Sequence, residues 1–308
     1  MNRFRTLYLL ILLILGAVTV SAQETTPTEE PEATSEATSD TTVPTDAVPV
    51  ITLQRTACFG SCPIYTVAIY SDGTVIYSGE RFVELMGEHT SEIDPEVVAQ
   101  MVQVFEDAGY FEWDEAYDTM TVSDLPYINT SVTRDGETHS IHRYTGDDSA
   151  PLALPFLEHW IDIMARTSLW TGVPFDISTV SNGEDTPVAT LEQTPCYGLC
   201  PVYSVALYAD GTIVYLGIAN VTNFGVHVFE TEPAAIESIL ARAAAIGYFN
   251  LADNYDQMMM TDQSSVITSL RTDAQFKRIN RYGGDPSAPV GLLWIEEAIS
   301  ETVNFAMQ

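Results

Sequence analysis

Cys58-Phe59-Gly60-Ser61-Cys62-Pro63-Ile64-Tyr65 returns as Cys196-Tyr197-Gly198-Leu199-Cys200-Pro201-Val202-Tyr203. The two stretches lie 138 residues apart, and the same offset holds without a gap to Ser149-Ala150-Pro151 and Ser287-Ala288-Pro289. The unit of this chain is therefore one domain, duplicated, and a polar residue kept in both copies serves that domain.

Working outward from the cysteines, each copy reads in one order. Val50 to Arg55 is a short run of β-forming residues. Ile64 to Tyr70 is β-branched and aromatic, Asp72-Gly73 is a hairpin turn, and Thr74 to Gly79 resumes the strand. The second copy matches with Val202 to Tyr208, Asp210-Gly211 and Thr212 to Gly217. A further strand is expected near Glu88 to Ile93, and near His227 to Glu230.

The apolar period then changes to that of a helix. Asp94-Pro95 reads as an N-cap and first helical residue, and Val97, Val98, Met101, Val102, Phe105 and Ala108 share one face up to Gly109. In the second copy Pro233 starts the helix and Gly247 stops it. Two more strands follow, Ile128 to Arg134 and Thr138 to Tyr144, repeated as Val266 to Arg271 and Gln275 to Tyr282. Ser149 and Ser287 are expected to cap a last helix with Pro151 or Pro289 in its first turn. Every connection reads as a hairpin or short loop. The prediction is an α+β fold of two tandem homologous domains, each a mainly antiparallel sheet with two helices packed on it.

Residues 1–22 read as a signal peptide, with Arg3 and Arg5 ahead of an apolar run and Val20-Ser21-Ala22 as the cleavage site. Residues 23–49 are Thr, Glu, Ser, Pro and Ala, a composition with too little to bury, and are expected to form a disordered acidic spacer. The first repeat then spans 50–170, a polar linker 171–187, and the second repeat 188–308. The expectation is an exported protein, extracellular or associated with the cell envelope, with no stable membrane anchor after cleavage.

The formal net charge is −31, and the chain has a single lysine, Lys277. Losing Arg3 and Arg5 with the leader would move the charge to −33. Nucleic-acid binding needs clustered Lys and Arg to displace counterions, so it is excluded. Anionic membrane surfaces would repel the chain for the same reason.

Four cysteines allow three pairings. Duplication favours the local ones, Cys58–Cys62 and Cys196–Cys200, because each copy should be self-sufficient. So small a loop contributes only about 2 kcal/mol on the chain-entropy model. Metal ligation with His89 or His227, the histidines kept in both copies, and a redox-active pair are the competing readings. Arg143-Tyr144-Thr145-Gly146-Asp147 recurs as Arg281-Tyr282-Gly283-Gly284-Asp285. Arginine four residues before aspartate can form a buried ion pair that holds the loop, or an anion clamp. Arg143, Tyr144, Asp147, Arg281, Tyr282 and Asp285 are thus the candidate ligand contacts. Tyr117-Asp118-Thr119-Met120 recurs as Tyr255-Asp256-Gln257-Met258 and suits a turn or cap better than a calcium loop. Neither copy has a phosphate loop, a dinucleotide fingerprint or a nucleophile elbow, so no cofactor is expected. Both copies keep the same duplicated candidates, so neither reads as a degenerate partner of the other.

The repeated C-x-G-x-C-P-x-Y, followed by Tyr70-x-Asp72-Gly73-Thr74 and Tyr208-x-Asp210-Gly211-Thr212, resembles the bacterial domain of unknown function numbered 6438. The resemblance covers nearly all of the chain after the spacer, supports the repeat boundaries and implies no activity. The function expected is a non-enzymatic binding or structural module with an unknown ligand or protein partner. A thiol- or metal-dependent enzyme built on the cysteine loops and a secreted inhibitor are the alternatives.

Overall fold

Alternation of buried and exposed residues sets the first sheet. The computed structural model describes residues 48–119, 124–257 and 262–308. The leader and nearly all of the spacer lie outside them, as do Met120 and Met258. In the first repeat the strands are β1 (Ile51–Arg55), β2 (Ile64–Ile69), β3 (Thr74–Arg81), β4 (Gly87–Glu92), β5 (Ala116–Tyr117), β6 (Tyr127–Arg134) and β7 (Glu137–Tyr144). They form one sheet in the order β4-β3-β2-β1-β6-β7-β5. All neighbours are antiparallel except β5, which runs parallel to β7 and brings Tyr117 opposite Arg143. Helices α1 (Pro95–Asp107) and α2 (Ala153–Ala165) follow, then the short α3 (Ser168–Thr171).

The second repeat copies this plan. Strands β8 (Ala189–Gln193), β9 (Val202–Leu207), β10 (Thr212–Ala219), β11 (Gly225–Glu230), β12 (Asn254–Tyr255), β13 (Ser265–Arg271) and β14 (Phe276–Tyr282) form a second seven-stranded sheet with the same order. Its helices are α4 (Pro233–Ile246) and α5 (Val290–Ala306). The α+β reading and the duplication hold. The mainly antiparallel reading holds; the parallel exceptions β5 and β12 are two residues long and carry no legible period.

The helix ends partly follow the sequence. Asp94 caps α1 by accepting from the Glu96 amide at 2.9 Å, and Gly247 ends α4 in the left-handed region. Ser149 and Ser287 do not cap. The helices begin later, at Ala153 and Val290, and Ser149 instead donates its hydroxyl to Asp147. Among the described residues no helix is long and apolar enough to cross a membrane.

The repeats are stacked rather than strung apart. One apolar core joins the inner face of the first sheet, helices α1 and α2, and the near face of the second sheet through Ala206, Tyr208, Val214, Leu216 and Val226. The far face of the second sheet, with Val205, Leu207, Ile213 and Tyr215, packs on α4 and α5. The layers thus run sheet, helices, sheet, helices. The strand patterns record this. β2 alternates buried and half-buried residues, whereas β9 and β10 are buried on both faces. Where the first copy has Ser78 and Glu88, the second has Leu216 and Val226. Trp160, fully buried on α2, donates its indole N–H to the Gly217 carbonyl at 3.1 Å and meets Phe224 edge-on at 5.2 Å. A Cβ on Gly217 would lie 1.9 Å from the Asn223 carbonyl oxygen, so this contact needs glycine there.

Candidate functional site

Three strand ends and one helix face build a polar cavity in the first repeat. Arg55 closes β1, Tyr65 opens β2 after the disulfide loop, and Arg143 sits near the end of β7. Glu158, His159 and Asp162 lie one turn apart or less on α2, which projects them toward those strand ends. Residues 171–181 pass over the top. The cavity they line holds about 350 Å³.

Two ion pairs form its floor. Arg143 Nε donates to Glu158 Oε1 at 3.0 Å, and its Nη2 to Oε2 at 2.5 Å. Both side chains are almost fully buried, at 2% and 1% exposure. Arg55 donates Nε and Nη2 to Asp162 Oδ2 at 2.8 and 2.6 Å. The Tyr65 and Thr167 hydroxyls donate to Oδ1 at 2.7 and 2.9 Å. Burial pulls the Arg55 guanidinium down, but Asp162, Tyr65 and Glu158 together outweigh it and hold Arg55 firmly charged. Burial pushes the Tyr65 phenol up, and Asp162 adds to this. His159 retains some exposed surface but sits against Phe175 in a desolvated niche, where burial pushes it down to about 4. It is a neutral imidazole at neutral pH.

Beside the cavity, Arg278 of β14 ties the linker to the second repeat through Asp176 at 3.3 Å and Glu192 at 3.2 Å. Burial raises the Glu192 carboxyl to about 7; Arg278 opposes this and Asp176 adds to it. A carboxyl raised from 4.5 to about 7 favours the fold while protonated. That contribution is complete below pH 4.5 and lost as pH rises through 7. It amounts to at most about 3 kcal/mol. His159 acts oppositely: its contribution is complete above pH 6.5 and lost as pH falls through 4. Glu192→Gln should therefore gain stability relative to the parent as pH rises from 5 to 8, read from urea midpoints. Equal pH slopes in the two proteins would refute the Glu192 assignment.

The Arg-Tyr-x-Gly-Asp motif divides its labour. Arg143 and Arg281 do not pair with Asp147 and Asp285. Each forks onto the helix glutamate fifteen residues on, Glu158 or Glu296. The reason is reach: the strand directs the guanidinium under the helix, while the aspartate lies in the loop beyond. Asp147 accepts the amide and hydroxyl of both Thr119 and Ser149. Burial pushes its carboxyl up, but these hydrogen bonds win and hold it well below the usual range. Asp285 takes the Gln257 and Ser287 amides in the same way. Tyr144 and Tyr282 are buried and pack over Gly146 and Gly284. Of the six candidate ligand contacts, Arg143 lines this cavity and Arg281 a shallower one in the second repeat.

Cys58–Cys62 and Cys196–Cys200 are closed disulfides with Cα atoms 5.8 Å apart, and no cysteine is free. The loops present Phe59 and Tyr197 to solvent, each 89% exposed. Alkylation should add mass only after reduction, read by intact mass spectrometry; uptake before reduction would refute the pairing. His89 and His227 each bond a backbone carbonyl, of Met86 and Phe224. Among the described residues no three His, Cys, Asp or Glu side chains converge as a metal site would require.

Both repeats keep the duplicated candidates, but they differ in the residues that build the rest of this cavity. The matching position in the second repeat holds Gln193, Ser300 and Glu297 in place of Arg55, Asp162 and His159. Arg55, His159 and Asp162 have no counterparts in the second repeat, so the duplication does not mark them. Glu158 and Glu296 are duplicated, and a glutamate kept in an apolar helix stripe was the available signal.

A comparison with curated proteins finds no match. The model of a family described as Domain of unknown function (DUF6438) matches residues 49–165 and 187–303, the two stacked repeats. The chain belongs to that family, with two tandem copies of its domain.

Proposed function

We propose that this chain is an exported, non-enzymatic binding protein whose first repeat takes a neutral ligand beneath residues 171–181. One observation carries the reading. Nη1 of Arg143 is buried without an acceptor, on a side chain that lines the cavity. An unmet buried donor costs about 1–3 kcal/mol, which an acceptor oxygen of a ligand would recover. Each carboxylate at the walls is paired with an arginine, Glu158 with Arg143, Asp162 with Arg55 and Asp176 with Arg278, which leaves no spare cation to hold a carboxylate or phosphate. An amide or carbonyl oxygen needs only the free Arg143 donor. Pro63, Pro155, Phe175 and Val180 supply apolar walls for the rest of the molecule. Closed disulfides support an oxidising compartment and leave thiol chemistry without a thiolate.

N-methylacetamide and acetate distinguish the charge classes. Titrated by nitrogen–proton NMR, the amide should shift the Arg143 side-chain signals and the backbone of residues 171–181, and acetate should leave them in place. Equal response to acetate, or amide-induced shifts confined to other surfaces, would overturn the assignment.

A further inference from the structure

Among the described residues, the internal stacking leaves two faces of the same kind without partners. In the first repeat the outer side of α1 and α2 is covered by the second sheet. Phe156 of α2 meets Tyr208 edge-on at 6.4 Å, and Val104 of α1 fits against Gly225, where a Cβ would lie 2.4 Å from the valine methyl. In the second repeat the outer side of α4 and α5 faces solvent. Trp294 stands at the position of Phe156 and Val290 at that of Leu152, and they are 59% and 61% exposed. The outer face of the first sheet is likewise open. It retains Ala68, Tyr70 and Ile76 at the positions of Ala206, Tyr208 and Val214, which the second sheet buries under α1 and α2.

We propose that a second copy of this chain docks head to tail on the first, its first sheet covering the α4–α5 face as the second sheet covers α1 and α2 within one chain. The register follows from the internal interface. Trp294 falls on Tyr70 of the other copy, repeating Phe156 on Tyr208. Arg242 of α4, the counterpart of Val104, falls on Gly87 and Glu88, the counterparts of Gly225 and Val226. Gly87 has nothing within 4 Å of where a Cβ would stand, so that seat is open. An exposed arginine thus meets an exposed glutamate where the internal interface holds Val104 and Val226 in one apolar core. Both members changed from apolar to charged, with opposite signs. The exchange keeps the contact complementary and makes it weaker and reversible. The two surfaces differ, so the association is heterologous and extends beyond dimers unless a ring closes.

Sedimentation velocity of the full exported chain, from micromolar to millimolar, tests this. The parent should show a mean mass that climbs past the dimer with concentration. Trp294→Ala blocks one face and Tyr70→Glu the other, so each alone should stay monomeric with an unchanged thermal midpoint. Mixed together they should form a one-to-one dimer through the two intact faces, and only that. Arg242→Glu should weaken association at least tenfold, and adding Glu88→Arg should restore it. A parent that stays monomeric to millimolar concentration overturns the proposal. So does a dimer insensitive to Tyr70→Glu, which would place α5 against α5, and so does failure of the mixed variants to pair. Should Tyr70→Glu not fold, Ile76→Glu blocks the same face.

Discussion

Arg143→Met, with Glu158 left in place, should lower the unfolding free energy by about 3–5 kcal/mol, because it leaves a buried carboxylate without its partner. Glu158 is 1% exposed, and both its oxygens are held by that one guanidinium. The double variant Arg143→Met, Glu158→Leu should recover most of the loss, since a buried ion pair and a well-packed apolar pair are close in free energy. Urea unfolding of the three proteins at neutral pH reads the cycle. A single-variant cost below about 1 kcal/mol would show that the pair is solvated, contrary to its burial. Arg281 and Glu296 repeat the fork but are 13% and 8% exposed, so Arg281→Met should cost less than Arg143→Met. Only the Arg143 variant should also abolish the amide response of the cavity.

Trp160→Ala should be of similar size, about 3–5 kcal/mol, and should change the shape of the unfolding curve. The indole is fully buried between the first repeat's helices and the second sheet, and its N–H is committed to Gly217. The core around it draws on both repeats, so the parent should unfold in one transition. The core between the second sheet and α4–α5 is a separate cluster, and the substitution does not touch it. Weakening the shared core should therefore expose a second, later transition from the second repeat. A single transition with an unchanged midpoint would mean that the stacked interface contributes little to stability.

Much of each repeat was legible from neighbouring residues. Asp72-Gly73 and Asp210-Gly211 mark hairpins that form, and the period change after Asp94 marks a helix that begins there. The pairing of each C-x-x-x-C within its own copy also held. The failures are of one kind. Ser149 looked like a cap, but Asp147 competes for its hydroxyl. Arg143 looked like the partner of Asp147, but Glu158 is the group the fold sets beside it. The cavity of the first repeat was not legible because Arg55 and Asp162 are 107 residues apart in sequence and are absent from the second copy.

The amino-acid sequence by itself determined the duplicated unit, its order of strands and helices and its local disulfides, since turns, caps and periodicity act over a few residues. Only the tertiary structure decided that the repeats stack, that residues 171–181 roof a cavity in the first repeat alone, and that each motif arginine reaches a helix glutamate. Those outcomes depend on which apolar face finds which cover. Leu216 and Val226 record that cover in the sequence, but they carry meaning only once the helices above them are in place.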